Sequence, residues 1–454
     1  MTSPPSQPTS TTITTMTPTA PSSTLGLWRA ASAAIDPAGY FRRRATQPHP
    51  FQLKFPGLGD VIFFATAHGA HDVLTLPAPL CQAPTPNPIE PIVGKGSLIL
   101  LSGEQHRRER RLLTPAFHGE RIKSYADIIA SATTEEIGSR RPGQTVAVRE
   151  LAVAIALHVA IRVVFGVADP NRRRDYTHAV KALMRANTAP LMLMPALRRD
   201  IGGRGPWARL LRLRDQLDQL LSEDMENRQR KGLQAQDMLD LLLSATDEDG
   251  QRHSEQDMHD QLRTLLAAGH ETTATSLMWS LYHIYRDDSV RERLAAELSR
   301  RPTPLEMTTL PYLNAVVHET LRMHPPVPIV LRRLGGPLTV GGVACTEGQI
   351  VGIALHALHF NPSIWPEPDR FEPERFLARK PTPFEYAPFG GGHRRCIGAA
   401  FAEAELAIAI GTIMGSVELR MPTRERDRHP PRCVARGIAV APAREITLEV
   451  IDPC

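Results

Sequence analysis

The chain has 454 residues, and 42% of them are hydrophobic, which is enough for a sizeable core. Its five cysteines are odd in number and widely spaced, without a C-x-x-C pair. This pattern argues against a disulfide framework or a zinc site and fits a reducing, cytoplasmic compartment. The net charge is +5, but no basic motif is interleaved with aromatic residues, so nucleic-acid binding is not expected.

The N-terminal residues 1–24 are rich in Ser, Thr and Pro and lack the charged and apolar regions of a signal peptide. Their composition predicts a disordered tail, followed by one domain over residues 25–454. The most apolar long stretch is residues 151–167, where His158 and Arg162 interrupt the run. We therefore expect a buried core helix there and no integral membrane segment.

The predicted elements of the first half are mainly helical. Two short strands, joined by a turn that contains proline and glycine, are predicted at 51–56 and 61–66. A Pro-rich loop is expected over 81–102, and Pro115 is expected to break the helical region that follows. The segment 188–204 is predicted to be a loop long enough to move. The predicted helices cover residues 67–76, 103–130, 133–140, 148–166, 172–187 and 205–231.

The second half begins with a long predicted helix that runs from about Ser254 to about Asp287. Its length suggests that it crosses the whole domain. Residues 337–354 alternate like short strands, and residues 359–395 read as mostly loop. Further helices are predicted at about 289–300, at about 311–323 and, after Cys396, to about Gly415. The sequence therefore predicts a mainly α domain with a minor β part.

A glycine-rich segment, Phe-Gly-Gly-Gly-His-Arg-Arg-Cys-Ile-Gly at 389–398, precedes the last predicted helix. Three glycines let the backbone turn tightly and approach a flat ligand closely. Cys396 lies at the start of the helix, where free N–H groups and the helix dipole favour a thiolate. Arg394 can pair with an acidic group of a ligand. From these residues alone, a glycine-rich loop beside an ordinary buried cysteine remains the alternative.

The spacing of this segment matches F-x-x-G-x-R-x-C-x-G, the haem-binding signature of the cytochrome P450 family, and four further segments resemble that family in the same order. The resemblance implies a single triangular helical domain with small β-sheets and haem b as cofactor. It makes Cys396 the axial thiolate ligand of the haem iron, which favours O–O cleavage. It also implies that Phe389 packs beside the sulfur, that Gly398 lets the last helix approach the macrocycle, and that Arg394 binds a propionate.

The second segment, Ala-Gly-His-Glu-Thr-Thr at 268–273, lies midway along the predicted long helix. Glycine costs about 1 kcal/mol in a helix interior, and Thr272 is expected to bond back to the carbonyl of Ala268. Alone, these residues fit an ordinary imperfect helix. Beside the cysteine loop they resemble the family's acid–alcohol pair, which implies that Glu271 and Thr272 relay protons to dioxygen. Ala268 would leave room for the oxygen, and His270 would point away from the iron.

The third and fourth segments are Glu-Thr-Leu-Arg at 319–322 and the Phe-Glu-Pro-Glu-Arg-Phe box at 371–376. Glu319 and Arg322 lie on one helix face and can pair, which by itself is a weak signal. The resemblance implies that Arg375 joins them in a buried triad that fixes the loop carrying the cysteine.

The fifth segment is the basic helix that begins at Gly103, in which His106 and Arg110 share one face. The resemblance implies that both reach haem propionates, whereas a solvated basic helix is the alternative from the residues alone. Arg332 lies where the family often has a further propionate-binding arginine. The adjacent Arg333 remains an alternative for that role.

Candidate substrate residues follow by analogy with the family and are all apolar. We expect them to line a pocket for a lipid, terpenoid or polyketide-like molecule, although several of them fit a plain core equally well. They are Ile92, Val93, Leu191, Met192, Met194, Leu265, Val327, Ile329 and Val330.

The implied function is a monooxygenase that inserts one atom of O2 into an apolar substrate. The chain has no G-x-G-x-x-G fingerprint, so electrons from NAD(P)H are expected to arrive indirectly, through a ferredoxin or flavodoxin-type donor with its reductase. The motifs resemble a soluble bacterial member with eukaryote-like features. Three alternatives remain: a peroxide-using peroxygenase, a non-oxygenating enzyme that rearranges or couples its substrate, and a haem protein that only binds a ligand. Glu271 and Thr272 argue against the first.

Overall fold

The computed structural model describes residues 32–33, 35–47, 49–55, 57–117, 119–138, 140–188, 191–192, 194–200, 202–232, 237–436 and 439–453. The predicted disordered tail, residues 1–24, lies outside the described residues. Within them the chain is mainly helical and contains small β-sheets, as the sequence predicts.

Helices make up most of the fold. Those of the first half are α1 (Pro37–Arg42), α2 (Ala67–Leu74), α3 (Glu90–Val93), α4 (Gly103–Leu113), α5 (Glu120–Ile137), α6 (Val148–Val164), α7 (Pro170–Ala186), α8 (Gly205–Lys231) and α9 (Met238–Ser244). Those of the second half are α10 (Glu255–Arg286), α11 (Asp288–Leu298), α12 (Pro304–Met307), α13 (Pro311–Met323), α14 (Leu355–His359), α15 (Glu374–Ala378), α16 (Ala399–Ser416) and α17 (Thr423–Arg426).

The strands form one five-stranded sheet and three smaller ones among the described residues. They are β1 (Phe51–Phe55), β2 (Gly59–Phe64), β3 (Cys81–Gln82), β4 (Thr145–Ala147), β5 (Ile329–Leu334), β6 (Leu338–Val340), β7 (Val343–Cys345), β8 (Ile350–Ala354), β9 (Val417–Arg420), β10 (Cys433–Arg436), β11 (Ala439–Pro442) and β12 (Thr447–Pro453). The largest sheet has the order β1-β2-β8-β5-β3, which brings the early strands beside those that follow α13.

The long helix α10 is the central element of the helical core. It has 32 residues, and its N-cap Ser254 accepts a hydrogen bond from the N–H of Asp257, at 3.1 Å. Most of its side chains are buried, since α6 packs along it and α16 contacts it on another side. A helix buried on several sides is apolar almost all round, which explains why α6 and α16 carry so little amphipathic pattern. Helix α10 differs from them in burying polar side chains as well, among them Asp260, Gln261 and Arg263.

Helix α16 is apolar and long enough to cross a membrane, although the most apolar long stretch identified in the sequence is residues 151–167. About 67% of its residues are buried inside the protein, where it packs against α5 and α10. It is the helix that follows Cys396, and its apolar character is accounted for by this position in the core. The apolar stretch 151–167 forms most of α6, which is buried as predicted.

Several predicted boundaries were wrong. The two helices expected at 103–130 and 133–140 are instead α4, a short 3-10 turn and a single helix α5 that runs without interruption to Ile137. Thr133 and Thr134 lie inside α5 and donate hydrogen bonds to the carbonyls four residues earlier, so β-branching does not end the helix. The loop expected over 81–102 contains β3 and α3.

Candidate functional site

The loop that carries Cys396 is closed by its own backbone. The N–H of Cys396 donates to the carbonyl of Phe389, at 2.9 Å, and the N–H of Gly398 donates to the sulfur. The side chain of Cys396 is accessible at its surface, yet burial raises its thiol pKa, partly offset by the Gly398 N–H and Arg395. An accessible sulfur with protein atoms on most sides is typical of a residue that lines a recess.

The glycines of this loop are required by the end of α2. Gly392 has a φ of +65°, and a Cβ atom there would lie 2.0 Å from the carbonyl oxygen of Leu74. A Cβ atom on Gly391 would meet the Leu74 side chain at 2.9 Å. The close approach that the sequence predicts for these glycines is therefore first of all an approach to the protein's own backbone.

Five basic side chains lie close together at this loop. We call them the basic cluster: His106, Arg110, Arg332, His393 and Arg394. Among the described residues, none of the five forms an ion pair with an Asp or Glu. Burial, followed by the repulsion of the neighbouring cations, lowers the pKa of His106 to about 3 and that of Arg394 to about 10. The positive charge of the cluster is therefore not balanced by carboxylates of the described residues, and an anionic ligand would balance it.

Three elements supply the basic cluster: α4 carries His106 and Arg110, β5 carries Arg332, and the cysteine loop carries His393 and Arg394. Arg394 donates to the carbonyls of Leu101 and Ile99, both at 2.8 Å, which ties the cysteine loop to the segment before α4. The rings of His106 and His393 meet edge to face with centroids 6.0 Å apart. A cavity of about 360 Å³ lies beside both rings and Arg110.

The choice between Arg332 and Arg333, which the sequence left open, depends on the two faces of β5. Arg332 is buried beside Arg394 and donates a hydrogen bond to the sulfur of Cys81. Arg333 points elsewhere and donates to the carbonyls of Gly348 and Thr85. Only Arg332 belongs to the basic cluster.

The middle of α10 has the local features that the sequence predicts. The hydroxyl of Thr272 donates to the carbonyl of Ala268 at 2.6 Å, which confirms the expected bond within the helix. A Cβ atom on Gly269 would meet nothing within 4 Å, so open space lies beside this turn. His270 is buried and its Nδ1 donates to the carbonyl of Leu266, at 2.8 Å. Glu271 is half-buried beside Thr272.

The structure brings Glu319, Arg322 and Arg375 together. Glu319 and Arg322 are fully buried and form two hydrogen bonds, at 2.6 and 2.8 Å, and Arg375 Nε donates to the same carboxylate at 3.1 Å. The N–H of Glu372 supplies a fourth donor at 2.9 Å. Arg322 also donates to the carbonyls of His359 and Pro368, which lie in the chain segment leading to the cysteine loop.

The nine candidate substrate residues are distributed over several surroundings. Four of them are buried in the main helical core, namely Ile92, Val93, Leu191 and Leu265. Ile329 and Val330 lie on β5 and pack on different apolar clusters, and Val330 lies close to Gly390 of the cysteine loop. Met194 and Val327 are exposed, and Met192 is half-buried. The structure therefore does not gather all nine around one space.

Two residues of the site were missed in the sequence. Cys81 is a buried thiol whose sulfur accepts from Arg332, and His359 is a fully buried imidazole beside Arg322. Neither lies in a motif that resembles the family's signature segments. Both are joined to the site by contacts between distant parts of the chain, which a single sequence does not display.

The donor set fits a haem group. The sulfur of Cys396 is accessible, and the basic cluster, which has no carboxylate partner among the described residues, lies beside it. Haem requires one axial ligand and a positive surrounding for its two propionates. Cys396 has the chemistry of the first, and the basic cluster has the chemistry of the second.

Comparisons with known proteins agree with this geometry. The family model for cytochrome P450 matches residues 81–446. Cytochrome P450 138 of Mycobacterium tuberculosis is 32% identical over 387 residues, which are 85% of each chain. Cytochrome P450 137 of the same organism is 30% identical over 85% of this chain and 80% of its own. The names of both relatives state the family and no reaction.

Solved structures show the same fold. The haem domain of cytochrome P450DA superimposes with a TM-score of 0.78 at 26% identity, covering 92% of this chain and 93% of its own. The cyanobacterial enzyme CYP120A1, solved with retinoic acid bound, gives a TM-score of 0.77 at 25% identity, covering 90% and 93%. The chain has the fold of a haem-thiolate protein and belongs to the cytochrome P450 family, whose members bind haem and are in general monooxygenases.

Proposed function

We propose that this protein is a monooxygenase that inserts one atom of O2 into an apolar lipid, terpenoid or polyketide-like substrate. Electrons from NAD(P)H reach it through a separate ferredoxin- or flavodoxin-type donor. The observation that carries the proposal is the accessible sulfur of Cys396 beside a basic cluster that has no carboxylate partner in the part of the chain that the structure describes. One structural relative is described with retinoic acid bound, a molecule that is mostly hydrocarbon but carries a carboxyl group.

The protein's own residues divide into three roles. Cys396 would bind the haem iron through its sulfur, with Phe389 beside it and the N–H of Gly398 donating to that sulfur. Arg332 and Arg394, with His106 and Arg110, would hold the two carboxylates of the cofactor. When bound, haem supplies the electron-transfer and dioxygen chemistry that the side chains cannot provide.

Glu271 and Thr272 control protons on the other side of the site. The Thr272 hydroxyl donates its hydrogen to Ala268, so its oxygen keeps lone pairs that can accept a hydrogen bond from water in the open space beside Gly269. Glu271, one residue earlier, is the group that can exchange a proton with that water. This pair favours an enzyme that uses O2 over a peroxygenase.

The axial ligand is tested by the spectrum of the reduced protein with carbon monoxide. We expect the strongly red-shifted Soret band of thiolate ligation in the wild-type protein and its loss in Cys396→Ser. A wild-type Soret band typical of histidine ligation would refute the proposal. The substrate class is then tested by titration with apolar lipids, terpenoids and charged metabolites, with the haem spin-state shift as the readout.

A further inference from the structure

One buried imidazole connects the Glu-x-x-Arg helix to the loop that presents the cysteine. His359, the last residue of α14, has no exposed surface. Its Nδ1 donates to the carbonyl of Arg322 at 3.0 Å, and its Nε2 accepts the N–H of Ala387 at 3.1 Å. Ala387 lies two residues before Phe389, whose carbonyl accepts the N–H of Cys396.

The hydrogen bonds define a single state of this ring. The N–H of Ala387 can only donate, so Nε2 carries no proton and the proton of the neutral ring resides on Nδ1. Burial and the nearby Arg322 lower the pKa of His359 to about 3, which keeps the ring neutral at any physiological pH. A protonated ring would have no acceptor for Ala387.

The ring is also fixed from its other sides. Arg322 Nη1 donates to the carbonyl of His359 at 2.8 Å, so the two residues bond each other reciprocally. The ring of Tyr386 stacks on the imidazole, with centroids 5.7 Å apart and an angle of 28°. A side chain held by this many contacts fixes the position of the backbone groups that it bonds, because no other rotamer keeps the same hydrogen bonds.

We propose that His359 is a positioning residue. It holds the backbone that presents the Cys396 sulfur in a fixed position relative to the Glu319–Arg322 pair. It touches neither the substrate nor the cofactor and acts through Ala387. The inference rests on the proposed function, because the group being positioned is the axial thiolate.

The same short helix offers a matched control. His356 lies one turn earlier in α14 and is also fully buried, but among the described residues neither of its ring nitrogens has a hydrogen-bond partner. Replacing His356 removes a buried imidazole of the same size and leaves the path to Cys396 intact. Effects of lost volume are therefore separated from effects of lost hydrogen bonds.

The experiment compares His359→Leu, His359→Gln and His356→Leu as purified holoproteins. The readouts are the rate at which the reduced carbon monoxide complex loses its thiolate-type Soret band and the ferric–ferrous midpoint potential. We expect His359→Leu to accelerate the spectral conversion by roughly tenfold, which is the effect of leaving one buried N–H without an acceptor. The potential should shift in the same variant.

His359→Gln should restore both readouts, because its amide oxygen reaches the position of Nε2 and accepts the N–H of Ala387. His356→Leu should behave as the wild type. Equal conversion rates and potentials in His359→Leu and His356→Leu, or no recovery in His359→Gln, would overturn the inference. If His359→Leu does not accumulate, His359→Asn, whose shorter amide keeps a donor for Arg322 but does not reach Ala387, takes its place with the same expected conversion.

The outcome is distinguishable from a failure of the proposed function. If the wild-type protein lacks the thiolate-type band, Cys396 is not the axial ligand and the proposed function fails before any variant is compared. If the wild-type band is present and His359→Leu keeps it as long as His356→Leu does, only the role of His359 is wrong.

Discussion

Replacing Glu319 with glutamine tests whether the buried triad holds the cofactor site together. The carboxylate accepts four hydrogen bonds, two from Arg322, one from Arg375 and one from the N–H of Glu372. Glutamine turns an NH2 donor toward N–H groups that cannot accept its hydrogens. It also removes the counter-charge of Arg322, whereas Arg375 keeps its ion pair with Glu372. Breaking a buried ion pair in this way costs about 3–5 kcal/mol.

This cost has a measurable consequence for a chain of 454 residues. An unfolding entropy of about 2.1 cal/mol/K per residue makes 1 kcal/mol equivalent to about 1 °C in the unfolding midpoint. We therefore expect the apparent midpoint of Glu319→Gln to fall by about 3–5 °C. The haem-to-protein ratio after expression should fall as well, because the triad anchors the segment that leads to Cys396.

The control is Glu374→Gln, in the same box of the sequence. Glu374 pairs with Arg293 at the surface, where its side chain is 44% exposed, and exposed pairs contribute little. Scanning calorimetry and haem content are measured for both variants under the same conditions. If Glu319→Gln keeps its haem and melts within about 1 °C of Glu374→Gln, the triad does not stabilise the site as argued.

Three further outcomes are expected. Thr272→Ala should increase the peroxide released per NAD(P)H consumed, and unchanged coupling would remove Thr272 from the proton relay. Arg394→Leu should lose haem faster to a haem-scavenging apoprotein, because it removes one cation of the basic cluster; a wild-type rate would show that Arg394 does not hold the cofactor. Burial raises the pKa of Glu405 to about 8, so the folded protein keeps a proton that the unfolded chain loses above about 4.5, and stability should fall as the pH rises between these values. This fall amounts to about 1.4 kcal/mol of unfolding free energy per pH unit, and Glu405→Gln should abolish it. If the unfolding midpoints of the wild type and the variant change in parallel with pH, the assignment is contradicted.

The sequence predicts the local parts of the site well because those parts are contiguous. The bond from Thr272 to Ala268 and the start of α10 at Ser254 follow from spacing within one helix. The class of fold follows from the motifs and the helical pattern. Elements of only a few residues were missed, such as α9 (Met238–Ser244) and α12 (Pro304–Met307), since seven or four residues give no readable helical period.

The strands of the largest sheet show a different limit. β5 was missed because residues 329–334 include Arg332 and Arg333 in an otherwise apolar run, which fits neither strict alternation nor a helical stripe. Which arginine faces the basic cluster depends on the register of β5 with β8 and β3. A shift by one residue would exchange the two faces, and that register depends in part on β3, which lies far away in the chain.

The cysteine loop is held from two sides by contacts that differ in kind, and this predicts two distinct classes of defect. On one side, the Glu319–Arg322 pair reaches the loop through His359 and Ala387 by bonds to backbone, which fix where the sulfur points. On the other side, Arg394 ties the loop to the carbonyls of residues 99 and 101 and contributes positive charge. Variants of His359 should therefore change the spectral form of bound haem, whereas variants of Arg394 should change how tightly haem is bound. A variant of Arg394 that altered the thiolate band without weakening haem binding would show that the two sides are not independent.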